Sequence, residues 1–189
     1  KQPEHARLLH RAIMLIEALA QGQVPRLTVV IRKAFGLALA KLVKKYPQVI
    51  SVDGDVKNST FAEIIAQESP DHYFEMFIAE QNMIGVATGL ANRGKIPFAS
   101  SFSAFLTRGF DQIRMAAVSK ANIKIAGSHV GCSIGQDGAS QMGLEDIAMM
   151  RSIQGSTVLY PADGAAAERL VEVAINTPGI VYLRLSRPA

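Results

Sequence analysis

Tryptophan is absent from this 189-residue chain, aromatic residues make up only 6% of it, and cysteine occurs once, at Cys132. With so few rings, Leu, Ile, Val, Ala and Met must fill the core. A lone cysteine excludes an internal disulfide and fits a reducing compartment. The four histidines, His5, His10, His72 and His129, are scattered and have no spacing that would hold zinc. No apolar run approaches the ~18 residues of a membrane span and no secretory leader is visible, so the reading places the chain in the cytoplasm, away from membranes. No GxGxxG follows a strand, no P-loop signature occurs, and no GxSxG elbow presents a serine nucleophile.

What is present describes a globular protein. Hydrophobic residues make up 49% and charged residues 19%, enough for one domain with a substantial core. Charge is unevenly placed: residues 1–47 carry nine Lys/Arg against Glu4 and Glu17, and the remainder carries eleven against fourteen acids. Those basic residues are spread over helical faces with little aromatic interleaving, so a solvated surface is expected and nucleic acid is not. The abrupt beginning and end suggest one piece of a larger protein.

Residues 5–20 put Leu8, Leu9, Ala12, Ile13, Ile16, Leu19 and Ala20 on one helical stripe, closed by Gly22 and Pro25. Residues 1–27 are therefore expected to be a helix and linker ahead of a domain spanning 28–189. Within that domain helices are predicted over 30–46, 59–68, 80–93, 104–119, 143–152 and 163–175. Strands are predicted over 48–53, 74–78, 96–100, 123–127, 156–160 and 180–185. Six short apolar strands alternating with helices imply an α/β fold: a doubly wound, mostly parallel sheet with helices on both faces. Ligands of such sheets bind beyond the carboxyl ends of the strands. That rule selects 53–60, 79–82, 101–105, 128–141, 161–163 and 186–188.

One acid stands out. Phe77-Ile-Ala-Glu-Gln-Asn-Met83 reads as an apolar strand delivering Glu80 directly into a helix rich in small residues. Glu80 either complements the positive end of that helix or holds a proton against a ring nitrogen. Gly85, Ala87, Gly89 and Ala91 admit close packing, either on a two-fold mate or on the domain's own sheet. The loop Gly127-Ser-His-Val-Gly-Cys-Ser-Ile-Gly-Gln-Asp-Gly138 is longer than a crossover needs. Its His129 and Asp137 suit substrate hydroxyls, or form a strand end and a turn.

Several runs together carry a resemblance. Asp53-Gly-Asp-Val-Lys-Asn-Ser-Thr60, Ile78-Ala-Glu-Gln-Asn-Met83, Thr107-Arg-Gly-Phe-Asp-Gln-Ile-Arg-Met115 and Gly127-Ser-His129 occur in order. Gly135-Gln-Asp-Gly138, Ser140-Gln-Met142 and Arg184-Leu-Ser-Arg-Pro188 continue the series. The chain resembles the central, pyrimidine-binding domain of a shorter, animal-like transketolase over nearly all of 28–189. The resemblance implies a ketol-transferring enzyme of pentose phosphate metabolism that uses thiamine diphosphate, of which this chain would hold the aminopyrimidine end only. Glu80 matches the acid on N1′ that favours the imino tautomer, and Phe102 and Phe105 match the aromatics beside that ring. Asp55 falls near the thiazolium, or is a loop acid. Arg32, Ser59, His129, Asp137 and Arg187 match the sugar-phosphate side chains, although Ser59 also suits a helix cap. Gln141 matches the position facing the covalent intermediate. Arg108 and Gln112 lie nearby without an assigned role.

The same resemblance implies what this stretch lacks. The family holds its diphosphate and a magnesium or calcium ion with a Gly-Asp-Gly motif on another domain, and Asp53-Gly-Asp55 has the wrong order. The expected partners are a second copy in a homodimer, a diphosphate-binding domain or subunit, and sugar phosphates. Alone, the chain is expected to be inactive. Deoxyxylulose-phosphate synthase, a 2-oxo-acid dehydrogenase beta subunit and a non-catalytic assembly subunit are the alternatives.

Overall fold

The computed structural model describes residues 30–132 and 134–187. The helix expected over 5–20 and the linker to 27 lie outside the described residues. The chain runs α1 (Ile31–Lys45), β1 (Val49–Asp53), α2 (Lys57–Thr60), α3 (Glu63–Glu68), β2 (Tyr73–Glu75), α4 (Glu80–Asn92) and β3 (Ile96–Phe102). A 3₁₀ turn (Phe105–Gly109) leads into α5 (Phe110–Val118) and β4 (Lys124–Ser128), and the series ends with α6 (Asp146–Arg151), β5 (Thr157–Leu159), α7 (Gly164–Asn176) and β6 (Val181–Leu185).

The six strands form one sheet in the order β2-β1-β3-β4-β6-β5, and every pairing is parallel. Helices α1 and α7 cover one face, where Phe35, Leu39 and Val43 pack with Ala167 and Val171 against Phe98 and Leu183. On the other face Met83, Ile84 and Ala87 of α4 and Ile113 and Ala116 of α5 meet Val52, Ala99 and Ile125. Alternate strand residues thus serve opposite layers, as the period of two requires. The direction of travel across the sheet reverses between β1 and β3, which opens a crevice at their carboxyl ends. The doubly wound parallel sheet read from the sequence is the sheet observed.

Several boundaries differ for identifiable reasons. The helix expected over 59–68 is broken at Phe61, which takes a left-handed φ of 62°. Its carbonyl packs onto Gly36 of α1, where a Cβ would come within 2.6 Å of the oxygen, so the break and that glycine are one feature. The strand expected over 74–78 stops at Glu75. Met76 bonds back to the Asp53 carbonyl (2.8 Å), Phe77 turns left-handed (φ 55°), and Phe77 and Ile78 stand 69% and 75% exposed. Glu80 is therefore reached through a short exposed loop, not directly from a buried strand. The helix expected over 104–119 begins as the 3₁₀ turn and becomes α-helical only beyond Gly109. The helix expected over 143–152 starts at Asp146, because Gly143 pairs with Val130 in a β-bridge.

The small residues of α4 divide between the two readings. Ala87 is fully buried and Ala91 packs against the same core, whereas Gly85 and Gly89 face outward with open space where a Cβ would sit.

A buried polar cluster fastens α6 to β6. Arg184 Nε donates to Asp146 Oδ2 (2.7 Å), the Tyr182 hydroxyl donates to the same oxygen (2.8 Å), and the Ser103 hydroxyl reaches the Tyr182 oxygen (2.8 Å). Removing one member of a buried ion pair strands the other. Asp146→Ala is expected to cost about 3–5 kcal/mol in urea denaturation. A loss below about 1 kcal/mol, the range of exposed pairs, would show that the cluster is not a fastener.

Candidate functional site

The side chains singled out from the sequence follow the carboxyl ends of strands, except Phe102, which ends β3, and Arg32, which joins them from the first turn of α1. Glu80 opens α4, so its carboxylate sits at the positive end of that helix. It is only 2% exposed, yet it borders an open cleft of about 490 Å³ lined by Ile78, Ala79, Gln81, Asn82 and Arg108. Arg108 NH1 donates to Glu80 Oε1 at 3.1 Å. The 3₁₀ turn that carries Arg108 is seated by Gly109, whose missing Cβ leaves room for the Glu80 carbonyl, 3.3 Å from where that atom would be.

A run of stacked planes joins this acid to the rest of the site. The Arg108 guanidinium lies over the Phe105 ring, 4.9 Å from its centroid. Phe105 stacks on Phe102 at 5.1 Å and 9°, and Phe102 stacks on His129 at 3.9 Å and 20°. Phe102 ends β3 and His129 follows β4, the neighbouring strand, so sheet register places the two rings side by side. His129 holds a left-handed φ of 56°, sparsely populated for a residue with a side chain, and its Nδ1 lies 3.0 Å from Ser128 Oγ. Burial, then the charges of Arg32 and Arg187, push its imidazole down to about 4, against the opposing pull of Asp137. The ring is therefore neutral at pH 7, with one nitrogen able to donate and the other to accept.

Beyond His129 lies a cationic corner. Arg187 NH1 donates to Asp137 Oδ2 (2.5 Å) and to the Ile134 carbonyl (2.6 Å). Arg32 NH1 donates to the Ser59 carbonyl (2.5 Å), and its guanidinium lies over the Phe61 ring. Its Nε is buried and has no partner among the described residues. Burial, then the nearby Arg187, hold the Arg32 guanidinium below its ordinary range. Two guanidiniums close enough to disfavour each other, one with an unsatisfied N–H, form a seat that an anion would relieve.

Sequence reasoning brought together Glu80, Phe102, Phe105, His129, Arg32, Ser59, Asp137 and Arg187. Ser59 enters through its carbonyl oxygen, and it lies inside α2 and is no helix cap. Gln141 ends the turn Ala139–Gln141, half-buried on the long loop; its backbone N–H donates to the Gly138 carbonyl, and its side-chain amide makes no hydrogen bond among the described residues. Asp55 stands exposed at a left-handed φ of 66° and engages Glu75 through its backbone N–H (3.0 Å). The acid that organises this loop is Asp53. Its carboxylate accepts the Val56 N–H and the Thr60 hydroxyl, each at 2.7 Å, and so fixes the turn that presents Ser59 to Arg32. The sequence signal for Asp53 is a strand-end aspartate followed four residues on by a helix start at Lys57. Arg108 carried one as well, since it lies three residues after Phe105, where side chains of a 3₁₀ turn eclipse.

The description "Transketolase, pyrimidine binding domain" belongs to the family whose profile matches residues 28–189. Transketolase of Mus musculus is 58% identical over 158 residues, which cover 83% of this chain and 25% of that protein. Transketolase of Homo sapiens matches to the same extent. A solved structure described as "Split gene transketolase, inactive beta4 tetramer" has a TM-score of 0.76 at 40% identity, covering 86% of this chain and 53% of that one. The chain spans about a quarter of the length of the curated relatives it matches.

The buried acid under the loop gives a pH test. Burial raises the Asp53 carboxyl from 3.8 to about 7, outweighing the Thr60 and Val56 hydrogen bonds that favour its charge. The folded chain therefore holds a proton that the unfolded chain has lost between those values. Stability from this group is full below about pH 4 and falls as pH rises through about 7. Asp53→Asn abolishes that titration. In urea melts across the window, the variant should gain on the parent by an amount on the order of 4 kcal/mol. A difference that stays constant with pH would refute the assignment.

Proposed function

The chain belongs to the transketolase family as a pyrimidine-binding domain, and from that premise we propose that it supplies the aminopyrimidine half of a thiamine diphosphate site. When bound, the cofactor supplies the carbanion chemistry by which a two-carbon ketol unit passes between sugar phosphates. The residues present fit the ring end of that group. A buried carboxylate borders an open cleft, with flat aromatic faces two contacts away.

Glu80 holds a proton against N1′ of the ring, and its seat at the first residue of α4 fixes where the carboxylate points. Phe102 and Phe105 orient the ring by area, without competing hydrogen bonds. Arg32 and Arg187 take the sugar phosphate, with the unpartnered Arg32 Nε as the free donor. His129, neutral at working pH, and Asp137 read the sugar hydroxyls, and Gln141 faces the reacting carbon skeleton. Asp55, exposed on the loop after β1, would lie on the thiazolium side by the family match alone. The observation that carries the reading is the continuous run of contacts from His129 through Phe102 and Phe105 to Arg108 and Glu80, which supports a single site shared by the residues proposed for ring and sugar.

A second chain completes the site. The diphosphate and its magnesium or calcium belong to a diphosphate-binding domain that covers the rim at Phe77 and Ile78, whose exposed apolar side chains suit burial by a partner. Gly85 and Gly89 on the outer face of α4 permit close approach in a homodimer. The related split-gene chain described as an inactive tetramer supports a requirement for that second domain. Among the described residues no helix is long and apolar enough to cross a membrane, and a cytoplasmic location fits the single cysteine.

The test is reconstitution with a diphosphate-binding domain, thiamine diphosphate and magnesium. Ketol transfer is expected on mixing and not from the chain alone. Glu80→Gln should lower kcat by about 10²–10⁴, the usual worth of a positioned proton carrier, and should weaken cofactor binding. Arg32→Ala should raise KM for the sugar phosphate about tenfold or more, as loss of a charge-assisted hydrogen bond does, without changing cofactor affinity. The profile of kcat/KM should lack an inflection near the ordinary imidazole value. Full activity in Glu80→Gln would overturn the reading.

A further inference from the structure

We propose that the Arg108 guanidinium is a built-in placeholder for the aminopyrimidine, filling its seat between Phe105 and Glu80 until the ring displaces it. The inference rests on the assignment of Glu80 and Phe105 to the cofactor ring. Its own ground is that Arg108 already makes both contacts that assignment requires. A flat, delocalised group lies over the Phe105 face, 4.9 Å from the centroid. The same group donates an N–H to Glu80 Oε1 at 3.1 Å.

The reason for such a placeholder is the carboxylate. Glu80 is 2% exposed, and a buried carboxylate without a partner is costly. Its helix N-terminus offsets part of that cost and the guanidinium offsets more. Arginine suits the post better than lysine, because its planar fork stacks and donates at once and is more weakly hydrated. The geometry also lets it leave. Although the acid is buried, the Arg108 side chain is 55% exposed along the open cleft, so it can swing into water without moving the backbone.

This arrangement has a measurable consequence. A ring that must displace an occupant binds with an affinity reduced by the fraction of time the seat is empty. Removing the occupant should therefore tighten cofactor binding, the opposite of what loss of a ring-holding residue would do. Arg108→Ala leaves the carboxylate seeking a partner in the free state and clears the Phe105 face. It should bind thiamine diphosphate more tightly and faster.

The experiment uses the chain assembled with a diphosphate-binding domain and reads thiamine diphosphate affinity and association rate directly. Arg108→Ala is expected to tighten binding by roughly threefold to tenfold. Millimolar methylguanidinium should restore parental affinity in that variant while leaving the parent unchanged, because the small cation refills the vacated seat. Arg108→Gln, which keeps stem and polarity, is the second variant should the alanine form fold poorly, and it should tighten binding in the same direction. Unchanged or weaker binding in both, with Glu80→Gln still weakening it, would overturn the placeholder and leave the Glu80 assignment standing. If neither Glu80→Gln nor Arg108→Ala alters cofactor affinity, the underlying reading fails and the placeholder fails with it.

Discussion

The contact on which the rest depends is the hydrogen bond between Arg108 and Glu80, because it lets an acid be buried at the edge of an open cleft. A carboxylate in water is a poor partner for a weakly basic nitrogen, and a carboxylate in a dry pocket is unstable without a cation. Placing the acid at the first residue of α4, with an arginine from the neighbouring 3₁₀ turn, resolves the conflict with two local elements. The aromatic planes then extend the pair across the sheet edge to His129, so a buried carboxylate, stacked rings and cationic side chains follow one another along that edge.

The parallel sheet makes this concentration possible. Every strand ends on the same edge, so Asp53, Phe102 and His129 reach one crevice although they are far apart in sequence. Glycines do the fine placement. Gly36 admits the Phe61 carbonyl and so lets the chain break after α2, while Gly109 brings the 3₁₀ turn against the start of α4. In both cases a missing side chain sets the approach of a backbone segment that carries functional groups.

Much of this was legible in the sequence. The alternation of short apolar runs with helical stripes fixed the layers, since Val49–Asp53 and Val181–Leu185 are buried along their whole lengths, as a covered parallel sheet requires. The polar segments after strands supply most of the side chains that the structure gathers at one sheet edge. What escaped was decided by long-range contact. Nothing local in 73–78 shows that Met76 will bond to Asp53 and turn Phe77 outward. Nothing near residue 108 reveals a carboxylate twenty-eight positions earlier. Of the two acids in Asp53-Gly-Asp55, only Asp53 ends the buried strand, and the local closure of Val56 and Thr60 on it marks it as the buried one.

The backbone at Phe77 links two properties usually treated separately. A bulky residue at φ 55° carries about 1–3 kcal/mol of torsional strain, and its ring is left in water. A surface closing over the ring would relieve its exposure and leave the strain, because burial of the side chain does not change φ. An asparagine or glycine there would lower the torsional cost and remove the exposed ring together. Backbone economy and wetted apolar area are thus governed by the identity of a single side chain.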